Sequence, residues 1–463
     1  MLYCLQNRWK LEGKRLRYYG LRCGDEMFKN AVKLSSRQVE LVKRLPCELG
    51  EFELRRIDKL LGKQIVPQEQ LRCTPKSLNE AVFCRTCAAN DFIIPGLEFG
   101  GDGLCPMCKT AELAKTLKSV VPVKNTFTRA KKSRFDIAVF YTGGKDSTYL
   151  LYYLAKRLGL RVLALTWEIP FMSDSAKKSI ENAKVHLSSV EFISRRVADD
   201  DLKTIYRRLY ELAGNTCACP SLAYALFYPE LVENKVPYFA AGNEPAQLVG
   251  LYYNHMAPKM AYTFSDNRFL NFMINVGRVL TLRPPLKKGQ FHTLATMKQL
   301  AYGDNPIKKL AGYSNALVGN VVEAIHTVPN IVKPLKRAVR RSSRTGNIPS
   351  FVQIDLDEVS GGAYDWKKIK QTIIDECGWV PPDADDKGLH TSCKIEKCKE
   401  YSQFIRFYNM ESDMIPFSAL EISLASRNSA LSRDDAIKEI RASLGFGLTE
   451  VEECAIMREY IDK

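Results

Sequence analysis

Six consecutive residues, Thr142-Gly143-Gly144-Lys145-Asp146-Ser147, bring together two glycines, two hydroxyls, a cation and a carboxylate. They follow the apolar run Phe135-Asp136-Ile137-Ala138-Val139-Phe140 and precede a helical pattern, Ser147 to about Leu158, with Leu150, Leu151, Leu154 and Leu158 on one face. A strand that ends in two glycines lets backbone come close to a polyphosphate, and the helix after it aims its unbonded N–H groups at the anion. The chemistry expected is pyrophosphate binding. Gly143 and Gly144 would contribute backbone N–H groups, Thr142 and Ser147 hydroxyls, Lys145 a mobile cation, and Asp146 a carboxylate that holds Mg²⁺ or polarises a neighbour. A Walker loop needs four residues between its glycine and its Gly-Lys-Ser/Thr, and that spacing is not present. The plain alternative is a tight strand-to-helix turn without a ligand.

A second constellation is Cys84-x2-Cys87 with Cys105-x2-Cys108. Each pair can chelate from a tight knuckle, and four thiolates complete a tetrahedral Zn²⁺ with no open position, so a structural zinc ribbon is expected. An iron–sulfur cluster also accepts four cysteines. Cys217-Ala218-Cys219-Pro220 lies between two expected helices, where a helix N-terminus lowers a thiol pKa. Those thiols are read either as inert or as sulfur carriers, cluster ligands or part of a substrate-gripping loop. His390-Thr391-Ser392-Cys393 with Cys398 is read as structural, and His186, His255, His292 and His326 show no ligand or triad spacing.

The elements that must position the loop read as a doubly wound parallel sheet. Arg161 to Trp167 is almost continuously apolar, as expected for a strand covered on both faces, and parallel pairing follows with a helical crossover. Further alternation runs through Val190-Ile193, helices near Asp201-Leu212 and Leu222-Glu233, and the strand Pro237-Ala241. Ligands in such sheets sit at the carboxyl ends of the strands. That rule gathers the loop at Thr142, Trp167-Glu168, and Gly242-Asn243-Glu244, with Asn243 or Glu244 orienting substrate or ribose and Trp167 either stacking on adenine or serving as core.

With these elements placed, the loop resembles the Ser-Gly-Gly-x-Asp-Ser signature of the PP-loop ATP pyrophosphatase superfamily, Thr142 standing for the leading serine. The resemblance implies a HUP-like α/β fold, ATP with its β- and γ-phosphates on the loop, attack of a substrate oxygen on the α-phosphate, and loss of pyrophosphate. A nitrogen or sulfur nucleophile then displaces AMP. Over roughly residues 80 to 445 the order of motifs is similar to that of N-acetyl sugar amidotransferases of bacterial surface-polysaccharide and lipopolysaccharide synthesis. The elements are the paired Cys-x2-Cys, Asp91-Phe92-Ile93-Ile94-Pro95-Gly96, Phe171-Met172-Ser173-Asp174-Ser175-Ala176, Cys217-Ala218-Cys219-Pro220, Gly242-Asn243-Glu244-Pro245, Gly378-Trp379, and an Arg-x-x-Ala helix from Arg433. Cys217 and Cys219 are one residue apart where that family has a two-residue gap, and residues 1 to 80 have no counterpart in it.

The expected architecture is therefore α/β, with a small winged-helix-like module over 1–80, a zinc ribbon over 81–115, a PP-loop ATP-binding domain over 116–330 and a mostly helical subdomain over 331–463. In 1–80, Ser35 or Ser36 would cap a helix bearing Val39, Val42 and Leu45, followed by a second helix with Ile57, Leu60 and Leu61 inward and a short strand at Gln64-Ile65-Val66. A linker is expected near Thr116-Ser133. Ser432 is expected to cap a helix from Arg433, and the C-terminal helices to form a lid or docking subdomain.

Composition bounds the partners. The 463 residues carry 68 basic and 52 acidic side chains, a net charge of +16 that suits a polyanion such as ATP, a nucleotide-sugar, a lipid-linked glycan or RNA. The densest basic run holds Lys333, Lys336, Arg337, Arg340, Arg341 and Arg344, with Lys131, Lys132 and Arg134 as a second group. No apolar run approaches the ~18 residues that span a bilayer, and Met1-Leu2-Tyr3-Cys4 leads straight into charged residues, so a cytoplasmic protein rich in reduced thiols is expected. The reading is an ATP-dependent, AMP-forming enzyme with Lys145, Asp146, Ser147, Cys217 and Cys219 as candidate catalytic residues. It would replace an amide or carbonyl oxygen of a small-molecule or glycan acceptor with nitrogen, ammonia coming from a separate glutaminase subunit. The alternatives are a PP-loop sulfurtransferase thiolating tRNA or a small molecule, and a zinc-ribbon adaptor for nucleic acid or peptide.

Overall fold

The structure is a computed structural model of the whole chain, and it describes all residues except 24–29, 110–126, 128, 132, 214–217, 220, 244–245, 248–249, 251–267, 288, 304–315, 363, 383–391, 446 and 450. The expected linker therefore lies largely outside the described residues. The chain forms two compact units. One comprises Met1–Glu112, Glu400–Arg427 and Ser432–Glu450; the other comprises Leu113–Lys399, Asn428–Leu431 and Val451–Lys463.

The first unit is built on short antiparallel strands: β1 (Leu2–Leu5), β2 (Trp9–Glu12), β3 (Arg15–Tyr18), β4 (Ala31–Lys33), β5 (Cys47–Glu48) and β6 (Ile65–Pro67). They pair in the orders β5-β1-β6 and β2-β3-β4. The expected helix after Ser35, the inward Ile57 and Leu60 and the strand at Ile65 are present, but the antiparallel strands β1 to β5 go beyond the expected winged-helix-like arrangement of two helices and a strand. Strands of two to four residues with arginines and lysines interleaved are too brief to show period-2 alternation. The helix Ser36–Arg44 does start where Ser35 caps it, the Ser35 hydroxyl accepting from Gln38 N while the Gln38 side chain accepts from Ser35 N. Its Val39, Leu41 and Val42 pack with Trp9, Leu16, Tyr18, Ile57 and Ile65. The helices Phe417–Arg427 and Arg433–Ser443 belong to this unit, the latter capped by Ser432 as the sequence indicates.

The second unit holds a five-stranded sheet of β7 (Ile137–Phe140), β8 (Val162–Trp167), β9 (Val190–Arg195), β10 (Tyr238–Asn243) and β11 (Ser350–Asp355), ordered β11-β10-β7-β8-β9. All four pairings are parallel, with Ile137 opposite Val162, Val162 opposite Val190, Phe239 opposite Ala138, and Tyr238 opposite Ser350. The order runs outward from β7 in both directions, so the switch point lies between β7 and β10 and a crevice opens at their carboxyl ends. β8 is buried along its whole length, which a parallel strand needs because it has no solvent face. β11 falls in the stretch expected to be a separate helical subdomain; it completes the sheet edge with Val352 and Ile354 buried, and the C-terminal helices divide between the two units.

The entry to β7 is fastened by a buried carboxylate. Asp136 Oδ1 accepts from Ala130 N and from Arg161 Nη2, each at 2.6 Å, and Oδ2 accepts from Arg161 N at 2.9 Å and Arg161 Nε at 3.1 Å. Burial alone would raise its pKa; the Arg161 and backbone donors outweigh that and hold it below the ordinary value. Its stabilisation is therefore present above about pH 4 and lost as pH falls. Asp136→Ala strands Arg161 and two backbone donors, and urea denaturation at neutral pH is expected to show a loss of about 3 kcal/mol.

Candidate nucleotide site and cysteine cluster

The helix Lys145–Tyr152 starts directly at the end of the β7 turn, with Gly144 at its N-cap and no side-chain cap. A helix that starts at the crevice without a capping side chain leaves its first N–H groups open to an anion. Gly143 has φ +73°, and a Cβ there would lie 2.5 Å from the carbonyl oxygen of Ala176, so no other residue fits this turn. Ala176 is placed by the helix Asp174–His186, whose N-cap Ser173 accepts from Ala176 N. From the other side, Trp379 Nε1 donates to Gly143 O at 3.0 Å. The loop thus has fixed backbone on both flanks.

Inside the loop the two hydroxyls meet. Thr142 Oγ1 and Ser147 Oγ are 3.2 Å apart, Thr142 N donates to Ser147 Oγ at 3.3 Å, and Gly144 N donates to Thr142 Oγ1 at 3.3 Å. Thr148 Oγ1 donates to Gly144 O at 2.8 Å. The hydroxyl at position 142 is therefore part of the loop's own bonding.

Lys145 does not behave as the mobile cation expected of it. Its side chain is 4% exposed, its ammonium donates to Asp146 Oδ1 at 2.7 Å and to the Tyr364 hydroxyl at 3.2 Å, and it sits 4.4 Å from the Trp366 ring centroid. The Tyr364 hydroxyl also donates to Asp146 Oδ1, and Gln247 Nε2 donates to Asp146 Oδ2 at 3.3 Å. An aromatic floor that no local pattern announces has drawn the cation beneath the loop, where its charge is fixed in a low dielectric. Tyr364 and Trp366 arrive from the start of the helix Trp366–Cys377, capped by Asp365.

Trp167 closes β8 and is 8% exposed, which is the core role rather than an open stacking face; its indole N–H has no partner among the described residues. Beside it, at the carboxyl ends of β8 and β9, is a cleft of about 490 Å³ lined by Thr166, Glu168, Met172, Lys177 and Arg196, among others. Gly242 and Asn243 end β10 next to the switch point, while Glu244 lies outside the described residues. Cys217 lies outside them too. Cys219 is exposed, just before the helix Ser221–Glu233. Tyr224, one turn into that helix, has its ring 5.2 Å from that of Phe140, the last residue of β7, which brings the Cys219 end toward the strand ends.

Asp355 is a residue the sequence reading missed. It ends β11 opposite Asn243 and caps the helix Leu356–Val359 by accepting from Asp357 N at 2.9 Å. Its position at a strand end following Ser350-Phe351-Val352-Gln353-Ile354 was a legible signal; Tyr364 and Gln247 had none. Of the other sequence candidates, Cys393 pairs its backbone with Met172, His390 and Thr391 lie outside the described residues, and Cys398 Sγ lies 2.9 Å from Cys454 Sγ in the core. His186 Nδ1 and His326 Nε2 are bonded to the carbonyls of Asn182 and Leu300.

In the first unit, Cys84, Cys87, Cys105 and Cys108 bring four Sγ atoms within 4.8 Å of one another, the one such group of metal-ligating side chains among the described residues. Cys84 and Cys108 are 3.8 Å apart and Cys87 and Cys105 3.6 Å apart. Four sulfurs at 2.3 Å from one tetrahedral ion are separated by about 3.8 Å. A polynuclear iron–sulfur cluster, with each thiolate on a different iron, needs a wider set. Cys105 N donates to Cys84 Sγ at 3.3 Å and Ala89 N to Cys87 Sγ at 3.5 Å, and Arg433 holds the Cys84 carbonyl from Nε and Nη2. The donor set fits a single closed metal ion.

No protein-family model matches the chain, and a search of curated proteins finds no match. Among solved structures it is similar to the U34-tRNA thiolase NcsA from Methanococcus maripaludis, solved with its [4Fe-4S] cluster, at 13% identity over 82% of this chain and 96% of that one, with a TM-score of 0.26. A likeness that slight carries no weight for the site, which rests on the geometry above. No helix among the described residues is long and apolar enough to cross a membrane.

Burial pushes the Asp355 carboxyl up to about 6, the backbone N–H groups of Asp357 and Glu358 opposing it and the charges of their side chains adding to it. It binds its proton more tightly folded than unfolded, so the stability it contributes is complete below about pH 4 and lost as pH rises through 6. Asp355→Asn keeps the capping oxygen and is expected to gain on wild type by on the order of 2 kcal/mol between pH 4 and 7 in denaturation curves. A constant difference across that range would exclude this titration.

Proposed function

We propose that this chain is an ATP-dependent, AMP-forming enzyme of the PP-loop kind, which adenylates an amide or carbonyl oxygen of its acceptor and exchanges that oxygen for another atom. The observation that carries the reading is the side-chain-free turn at Gly143, held between Ala176 and Trp379 at the head of the uncapped helix Lys145–Tyr152 and at the sheet's switch point. Backbone N–H groups of the turn receive the pyrophosphate that leaves, and Thr142 and Ser147 present hydroxyls beside it. Lys145 acts from below through its bond to Asp146. Mg²⁺ would be held by Asp146, whose Oδ2 has, among the described residues, the one long bond from Gln247 to exchange; the ion would supply neutralisation of phosphate charge. Fixed donors aimed at developing charge account for most of the acceleration in this reading.

Sulfur is favoured as the incoming atom by one feature, the exposed thiol of Cys219 on the strand-end side of the helix Ser221–Glu233. Nitrogen transfer to an N-acetyl sugar is the second reading. It is favoured by Trp379, which belongs to the Gly378-Trp379 element of the amidotransferase-like motif order and bonds the loop itself. A persulfide donor and an ammonium salt, supplied separately to enzyme, ATP and candidate acceptors, divide the two. Cys219→Ser is expected to abolish sulfur-containing product while ATP binding persists, whereas in a nitrogen route it changes little.

AMP and pyrophosphate are the expected nucleotide products. Asp146→Asn is expected to lower turnover by about 100-fold, the scale of losing one oriented charge-stabilising group. Gly143→Ala is expected to abolish ATP binding, since the methyl meets the Ala176 carbonyl. Nucleotide chromatography showing ADP as the main product would refute the reading.

Zinc is the metal assigned to the four cysteines, in a structural role. Elemental analysis is expected to give about one zinc per chain, and Cys84→Ser to lose the metal and lower the melting temperature of the protein. A visible chromophore that bleaches on reduction would assign iron–sulfur instead.

A further inference from the structure

The helix Arg268–Leu280 is inside out. Its protein-facing side is polar: Arg278 donates from Nε to Pro284 O at 2.7 Å and from Nη2 to Ser343 O at 3.0 Å, and Asn275 exchanges bonds with the backbone of Leu286 in both directions. Its outward side is apolar. Phe269 (73% exposed), Phe272 (64%), Met273 (50%), Val276 (38%), Val279 (56%) and Leu280 (79%) fall within an arc of about 120° at 100° per residue, and Leu282 (95%) extends it beyond the helix end. Globular helices turn the opposite face to water.

We infer that this stripe is the surface through which two copies of the chain associate, by antiparallel packing of Arg268–Leu280 on its own symmetry mate. Three observations select a second copy. The exposed fractions amount to roughly 700 Å² of apolar surface per chain, close to the ~800 Å² that each partner gives to a standard interface. Gly277, beside Met273 and Leu280, has nothing within 4 Å of where a Cβ would stand. A glycine inside a helix weakens it relative to alanine, and here it opens a gap on the outer surface through which another backbone can approach. The apolar stripe itself contains no charged residue, so two chains of net charge +16 can meet there without burying like charges. A helix seated on an anionic membrane would instead be bordered along its length by Lys and Arg, whereas the only basic residues in this helix are Arg268, at its first position, and Arg278, which is turned inward. An isologous contact closes on itself, so the association stops at two copies.

Sedimentation equilibrium of the full chain tests this. Wild type is expected to be a dimer that tightens as salt is raised, because screening relieves the repulsion of the flanking cations Arg283 and Lys287. Phe272→Glu and Leu280→Glu are each expected to weaken the dimer at least 100-fold while ATP turnover is kept. Gly277→Leu adds apolar surface and helix propensity yet is expected to weaken association at least 10-fold, which distinguishes lost close approach from lost folding. A wild-type monomer at every concentration and salt, a dimer indifferent to all three changes, or a monomer that floats with phosphatidylcholine–phosphatidylserine vesicles and loses that binding in Phe272→Glu would each overturn the inference.

Discussion

The turn at Gly143 has no room for a side chain, and much of the second unit is arranged around that fact. A backbone at φ +73° with the Ala176 carbonyl 2.5 Å from where a Cβ would stand brings the chain between strand and helix as close to the neighbouring helix as backbone can come. The Trp379 indole then bonds the Gly143 carbonyl from a segment far along the chain. Peptide groups held on both flanks cannot reorient when an anion arrives, and their dipoles are already aimed. Such preorganisation is what the anion role proposed for this turn requires.

The cation beneath the loop follows a different logic. Lys145 is desolvated, and its charge is compensated by Asp146 and by the rings of Tyr364 and Trp366. Coupling Lys145 to Asp146 also means that a ligand or metal reaching Asp146 alters the field of the lysine without moving it. The nearby Asp355 shows the reverse balance: with acidic rather than basic neighbours, burial drives its carboxyl upward.

β1 to β6 are two to four residues each, short for independent stability, and a metal held by the four cysteines, as proposed, would add a tie between the two knuckles of the same unit. Arg433, at the start of the helix Arg433–Ser443, is bonded to the Cys84 carbonyl, so a late segment of the chain is anchored to the same point.

Local chemistry in the sequence was enough for the loop, the two Cys-x2-Cys knuckles, the Ser35 and Ser432 caps and the apolar strands β7, β8 and β10, because each depends on neighbours a few residues away or on burial of both faces. Trp379 was legible as part of a Gly-Trp element, but not as a partner of Gly143. Residues whose role depends on distant segments were beyond it: Tyr364 and Gln247 on Asp146, the burial of Lys145, and Asp355 beside Asn243 through the β10–β11 pairing. The four short strands β1 to β4 escaped because their alternation is too brief, and the outward apolar face of Arg268–Leu280 because a helical period marks a stripe without saying which side meets water. Sequence spacing sets which atoms a segment can offer; the direction in which they point, and what lies against them, is decided by packing between segments far apart in the chain.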